Sequence, residues 1–335
     1  MHSNAELGLL AGHQYDDEIR IVEQALRHAQ QLRDVRTCAE CLHKLARLHE
    51  KRLSFSVAED CAHQALALYA HLGDQVGTAR CQHTLAVWAF HRDRTEEAIG
   101  RFKEAASLRE RGGDLMASAQ SFHNLGYVYC RLGEPRDSFW AYREAEERLK
   151  NDCVTGVANV DRLQRDTAFV WSHLTYANAK YGEERDALRM AVRYFEHVAS
   201  TGVHREQFLA YVGAGLALTR ENFAGTETGI VERVEELTGL KGDPKMFFSH
   251  ALREERRALA AHAANQGARL YLGTVLVTLM EFGKFLLALG MAEEGREMLA
   301  ESVALAQERG WTGEARRAVA FARECGVSPG AVGAP

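Results

Sequence analysis

A histidine returns every forty residues along this 335-residue chain: "AECLHKLARLHE" carries His43, "ARCQHTLAVWAF" carries His83 and "AQSFHNLGYVYC" carries His123. Self-similarity at a period of roughly 20–50 residues marks stacked units, each burying its face against the next, and it constrains the fold more than any single motif does. The same register aligns Leu45, Leu85 and Leu125, then Ala46, Ala86 and Gly126, then Ala58, Ala98 and Ser138, then Ala65, Ala105 and Ala145. The links "LRD", "LGD" and "GGD", ending in Asp34, Asp74 and Asp114, keep step with them. A residue that tolerates a left-handed turn followed by Asp is how one helix stops and the next is capped. Each unit therefore reads as two helices, in the second unit spanning about 76–91 and 96–112.

Composition agrees. Only four prolines occur, and Ala, Leu, Glu and Arg recur throughout, so the chain suits helices. The net charge of −5 offers no general attraction to nucleic acid or anionic membrane. No basic segment followed by an apolar run opens the chain, so no secretory signal is expected, and seven scattered cysteines fit a reducing cytoplasm. Cys38 and Cys41 form a Cys-x-x-Cys pair with no second pair beside it, which argues against structural zinc, and no metal or cofactor is expected.

Residues 124–147, "NLGYVYCRLGEPRDSFWAYREAEE", place Leu125 and Gly126, Tyr129, Gly133 in the turn, and Tyr142 and Ala145 in a pattern that resembles the tetratricopeptide repeat family. The interval of forty is similar to the extended variety in kinesin light chains and bacterial regulators, where the commonest form has 34. The resemblance implies an all-α fold, a right-handed superhelical solenoid of antiparallel helix pairs. The divisions expected are an N-terminal segment at 1–14, regular repeats at 15–150, and a fourth unit at 151–183 with an insertion. Divergent helix pairs with a capping helix follow at 184–325, and a flexible tail at 326–335. Gly133 to Gly182 is 49 residues, nine beyond the interval, and the surplus falls at 151–166.

Offsets of 0, 3, 7 and 11 share one stripe of a helix. On successive first helices that stripe holds Glu40, His43, Arg47 and Lys51; Arg80, His83, Val87 and His91; Gln120, His123, Tyr127 and Arg131; and Phe169, Ser172, Tyr176 and Lys180. In proteins of this resemblance, first helices line a concave groove that receives peptides. Carried over position by position, the groove holds His43, Arg47, Lys51, Arg80, His83, His91, His123, Tyr127, Arg131, Tyr176 and Lys180. It is basic although the chain is acidic, and it suits an acidic segment or a free C-terminal carboxylate. The plainer alternative is that the histidines are wet, neutral positions inherited by duplication. If instead most of the fifteen histidines titrate between about pH 7 and 5.5, ligand affinity would follow pH.

Two functions compete: an interaction scaffold or adaptor that binds a peptide segment of a protein partner, and a peptide- or small-molecule-sensing regulator similar to bacterial quorum-peptide receptors but without a DNA-binding domain of its own. Enzymatic motifs are absent, so catalysis is the minority reading. Neither direct nucleic-acid nor membrane contact is expected. The apolar stretch at 270–290, interrupted by Glu281 and Lys284, reads as a buried helix, with a second copy of the chain expected to cover the surface that the following helices leave open.

Overall fold

The computed structural model describes residues 15–52, 54–155, 160–201, 208–219, 228–261, 267–308 and 312–327. Fifteen α-helices run through them, and no strand occurs among the described residues. In chain order they are α1 (Asp16–Leu32), α2 (Val35–Lys51), α3 (Phe55–His71), α4 (Gln75–His91), α5 (Thr95–Arg111), α6 (Leu115–Leu132), α7 (Pro135–Thr155), α8 (Val160–Lys180), α9 (Glu184–Thr201), α10 (Leu209–Leu218), α11 (Thr228–Thr238), α12 (Pro244–Ala261), α13 (Gly267–Ala288), α14 (Ala292–Glu308) and α15 (Thr312–Glu324). The expected N-terminal segment, residues 1–14, and residues 328–335 of the expected tail lie outside the described residues.

The turns form for the reason their sequences give. Gly73, Gly113 and Gly133 take positive φ, and the amides of Asp74, Asp114 and Glu134 then bond the carbonyls of Tyr69, Arg109 and Tyr129, closing the preceding helix. Asp34, Asp74 and Asp114 cap the next helix by accepting from the amides of Thr37 (3.1 Å), Gly77 (2.9 Å) and Ala117 (2.9 Å). The Thr37 hydroxyl (2.6 Å) and then its amide hold the Asp34 carboxyl below the usual carboxylate range, and the Gly77 amide does so for Asp74.

The small residues that recur in the repeat are where helices meet. Ala58, Ala98, Ser138, Ala65, Ala105 and Ala145 are all fully buried. Gly126 leaves room for the ring of Tyr142, whose atoms stand 2.8 Å from where a Cβ would be. The nine surplus residues lengthen a helix pair: α7 and α8 each have 21 residues where α2 to α5 have 17. Residues 156–159, the centre of the expected insertion, lie outside the described residues.

Two units of the chain pack internally. One comprises residues up to Ala89 together with Glu96–Ser121, and its core gathers Ile19, Leu42, Leu45, Ala62, Tyr69, Leu85 and Trp88. The other comprises Phe90–Thr95 and everything from Phe122 onward. There α10 packs on α8, α9 and α12, while α13 packs on α12 and α14.

Val275, Leu276, Val277, Leu279, Met280, Phe282 and Leu286 of α13 are buried within the chain itself, while Leu289, just past its end, is exposed. Within the expected divergent helix pairs, the glycines of α10 let it approach α8: a Cβ on Gly213 would stand 2.6 Å from the Thr175 backbone.

Candidate functional site

The histidine stripe is part of the packing rather than a wet wall. His83 is partly covered, and its Nδ1 accepts from Arg109 (3.1 Å), which also donates to Ser121 Oγ (2.8 Å) and the Ala117 carbonyl (2.7 Å). Burial and that guanidinium push its pKa down to about 3. His43 is pushed down to about 4 by burial and then by Arg80 and Arg47. His123 is 5% exposed and packs among Phe169, Tyr142 and His173, at ring distances of 4.2, 5.5 and 4.3 Å. His173, which register placed one residue away at Ser172, donates from Nδ1 to the Phe169 carbonyl (3.0 Å), and burial lowers it to about 4. His43, His83 and His173 are therefore neutral above pH 6, which removes them from any charge switch between pH 7 and 5.5.

The other expected residues divide. Arg47 and Arg80 are exposed, and Lys51 lies 5.1 Å from the centre of the Tyr15 ring. His91 belongs to α4, and its side chain lies outside the described residues. Tyr127 packs edge-on against Phe90 and His173. Tyr176 is 2% exposed and so is no open contact surface, contrary to expectation. Its hydroxyl is spent inside the protein.

Arg131 and Lys180, the last members of their stripes, do come together. They line a cavity of about 730 Å³ within the second unit, in the size range of small-molecule and peptide sites. Sequence reasoning missed the far walls, which α13 supplies through Glu281 and Lys284, and α15 through Arg317, Phe321 and Glu324. Residues 281 and 284, and likewise 317, 321 and 324, have the spacing that puts side chains on one helical face. The interruption of the 270–290 stretch by Glu281 and Lys284 was the available signal: both charges line this cavity.

Glu281 is 5% exposed and would be costly to bury alone. It accepts from the Tyr176 hydroxyl at 2.8 Å, and Lys180 Nζ lies 3.5 Å from the same oxygen and 3.2 Å from the tyrosine oxygen. Burial, and next the Glu281 charge, raise the Tyr176 phenol well above its ordinary range, so it remains a donor. On the opposite side Tyr181 donates to the Cys130 carbonyl at 2.7 Å. The cavity is lined by four cations, Arg131, Lys180, Lys284 and Arg317, and two carboxylates, Glu281 and Glu324, beside apolar Leu216, Met280 and Phe285; Lys180 is paired with Glu281 and Arg317 with Asp93. Among the described residues no cluster of three His, Cys, Asp or Glu side chains is placed to hold a metal.

Residues 77–151 match the tetratricopeptide repeat family. Those residues are tetratricopeptide repeats, and the described helices around them continue the same kind of helix-pair solenoid. Solved structures carry the likeness beyond the matched repeats. Apo RapI is 15% identical at a TM-score of 0.57, covering 87% of this chain and 98% of its own. BtubC (BKLC) from P. vanneervenii is 17% identical at 0.53, covering 70% and 91%. Aspartyl phosphate phosphatase F from Bacillus subtilis is 13% identical at 0.53, covering 95% and 67%. At these identities the likeness is one of fold. No curated protein matches the sequence. No helix among the described residues is long and apolar enough to cross a membrane.

Proposed function

We propose that this protein is an interaction module that binds an anionic segment of a protein or peptide partner, and that the cavity bounded by Arg131, Lys180, Lys284 and Arg317 is where the segment sits. The observation that carries the reading is the cavity's excess of cations beside an apolar floor, in a chain whose net charge is −5. Cations in a partly dry recess attract carboxylates more strongly than the same side chains on an open surface do. A peptide ending in a carboxylate, with an apolar side chain against Met280 and Phe285, satisfies both walls.

The expected groove residues thus narrow to Arg131 and Lys180, with Lys284 and Arg317 added. The likeness to RapI and to an enzyme named as an aspartyl phosphate phosphatase favours the regulatory form of this reading over a passive scaffold. We assign no phosphatase activity here, because at 13% identity the likeness to that enzyme is one of fold. A cytoplasmic setting suits the six described cysteines, all of which are free. The test is a fluorescence-anisotropy screen of acidic, neutral and basic peptide pools, each with free and with amidated C-termini. Acidic free-carboxylate pools are expected to bind and to weaken with salt. Equal binding of all pools would refute the charge argument.

A further inference from the structure

Asp93, in the turn between α4 and α5, has φ of +66°, a conformation that Gly73, Gly113 and Gly133 occupy in neighbouring turns. Aspartate is one of the few residues besides glycine that enter this region readily, because its short polar side chain can bond locally. Its two carboxylate oxygens each receive an arginine from α15: Arg317 at 3.1 Å and Arg316 at 3.0 Å. Arg317 also lies over the Phe90 ring, 4.7 Å from its centre. Asp93 and Arg317 are 224 residues apart in sequence and belong to the same unit.

The backbone of α15 is fixed. Ala318, Val319 and Ala322 pack with Met280, Leu299 and Val303 in one apolar cluster. The Arg317 side chain, 17% exposed, both lines the cavity and meets Asp93. Asp93 and Arg316 are not among the residues that line the cavity.

We propose that Arg317 is shared between Asp93 and the cavity, so that an anion seated in the cavity and the clamp on the α4–α5 turn compete for one guanidinium. The inference rests on the reading that the cavity takes an anion. Occupancy then loosens the turn at 90–95, and by reciprocity a weakened clamp favours occupancy. The coupling gives the site an output away from itself: ligand arrives at α13 and α15, and the release is felt in a repeat turn.

The experiment uses the full chain and one probe, a fluorescein-labelled Ala-Leu-Glu-Asp-Leu peptide with a free carboxylate, titrated at low salt into wild type, Asp93→Gly, Asp93→Asn and Arg317→Ala. Glycine suits the backbone at 93, so Asp93→Gly retains the fold, and asparagine keeps the shape while removing the charge. Both Asp93 variants are expected to bind the probe about two- to fivefold tighter, the scale that an ion pair of this exposure sets, and Arg317→Ala to bind it more weakly. Amide exchange across 90–95 is expected to speed up when the probe binds wild type. Equal affinity in wild type and both Asp93 variants would overturn the coupling while leaving the anion site standing. A probe that binds none of the proteins would overturn the anion reading and the coupling with it.

Discussion

At the residue scale, burial decides protonation, and two kinds of side chain pull stability in opposite directions with pH. His43, His83 and His173 have pKa values lowered to about 4, 3 and 4, so the unfolded chain binds their protons more readily than the folded one. Their contribution is present above pH 6.5 and lost as pH falls toward 4. Chemical denaturation of wild type at pH 5 is expected to show a loss on the order of 1–2 kcal/mol for each histidine relative to pH 7, and His83→Gln, which keeps an acceptor for Arg109, to show a smaller one. Glu255 runs the other way. It is fully buried on α12, accepts from Thr278 at 3.0 Å, and burial raises its carboxyl to about 8. The folded state keeps this proton while the unfolded chain loses it near pH 4.5, so stability falls as pH rises from 4.5 to 8. Glu255→Gln is expected to raise the melting temperature at pH 7.5 and leave it little changed at pH 4.5; an equal shift at both would refute the assignment.

At the element scale, the repeat is legible because each recurring residue has one physical task. The Gly-Asp links became left-handed stops and caps, and the alanines became helix contacts, as their chemistry requires. The histidines recur just as regularly, yet the stripe argument put them beside the core when they lie within the packing of adjacent helices. Periodicity locates a residue on its own helix and is silent about which neighbour covers that face. Co-variation between repeats shows what such packing demands: Gly77 sits under the fully buried Tyr69 ring, where the next repeat has Ala117 and Arg109. A Cβ at 77 would stand 2.2 Å from that ring, so Gly77→Ala is expected to destabilise by about 1–3 kcal/mol despite its better helix propensity, as measured by urea denaturation. A neutral or stabilising effect would show that Tyr69 is free to move.

At the scale of the whole molecule, the site is assembled from stretches that local pattern cannot join. Arg131 and Lys180 were accessible from the repeat register, but Lys284 and Arg317 come from helices where that register has loosened, and contacts across 105 residues, as between Tyr176 and Glu281, leave no local trace. The cover over the apolar α13 was illegible for the same reason. An apolar helix looks uncovered until the neighbours that bury it are known. The fold was thus readable from one end of the chain, whereas the cavity needed both.

The central claim is that the cavity's cations select the ligand, and charge reversal at Lys284 tests it most directly. Lys284 is exposed on α13 and lies 5.8 Å from the centre of the Phe321 ring, outside the core contacts that hold the helix. Titration of the acidic, free-carboxylate peptide pool into wild type and Lys284→Glu, at equal salt and with matched melting temperatures, is expected to show a loss of about tenfold or more in affinity, with basic pools gaining. Unchanged affinity for both pools would contradict the account and place recognition elsewhere on the protein.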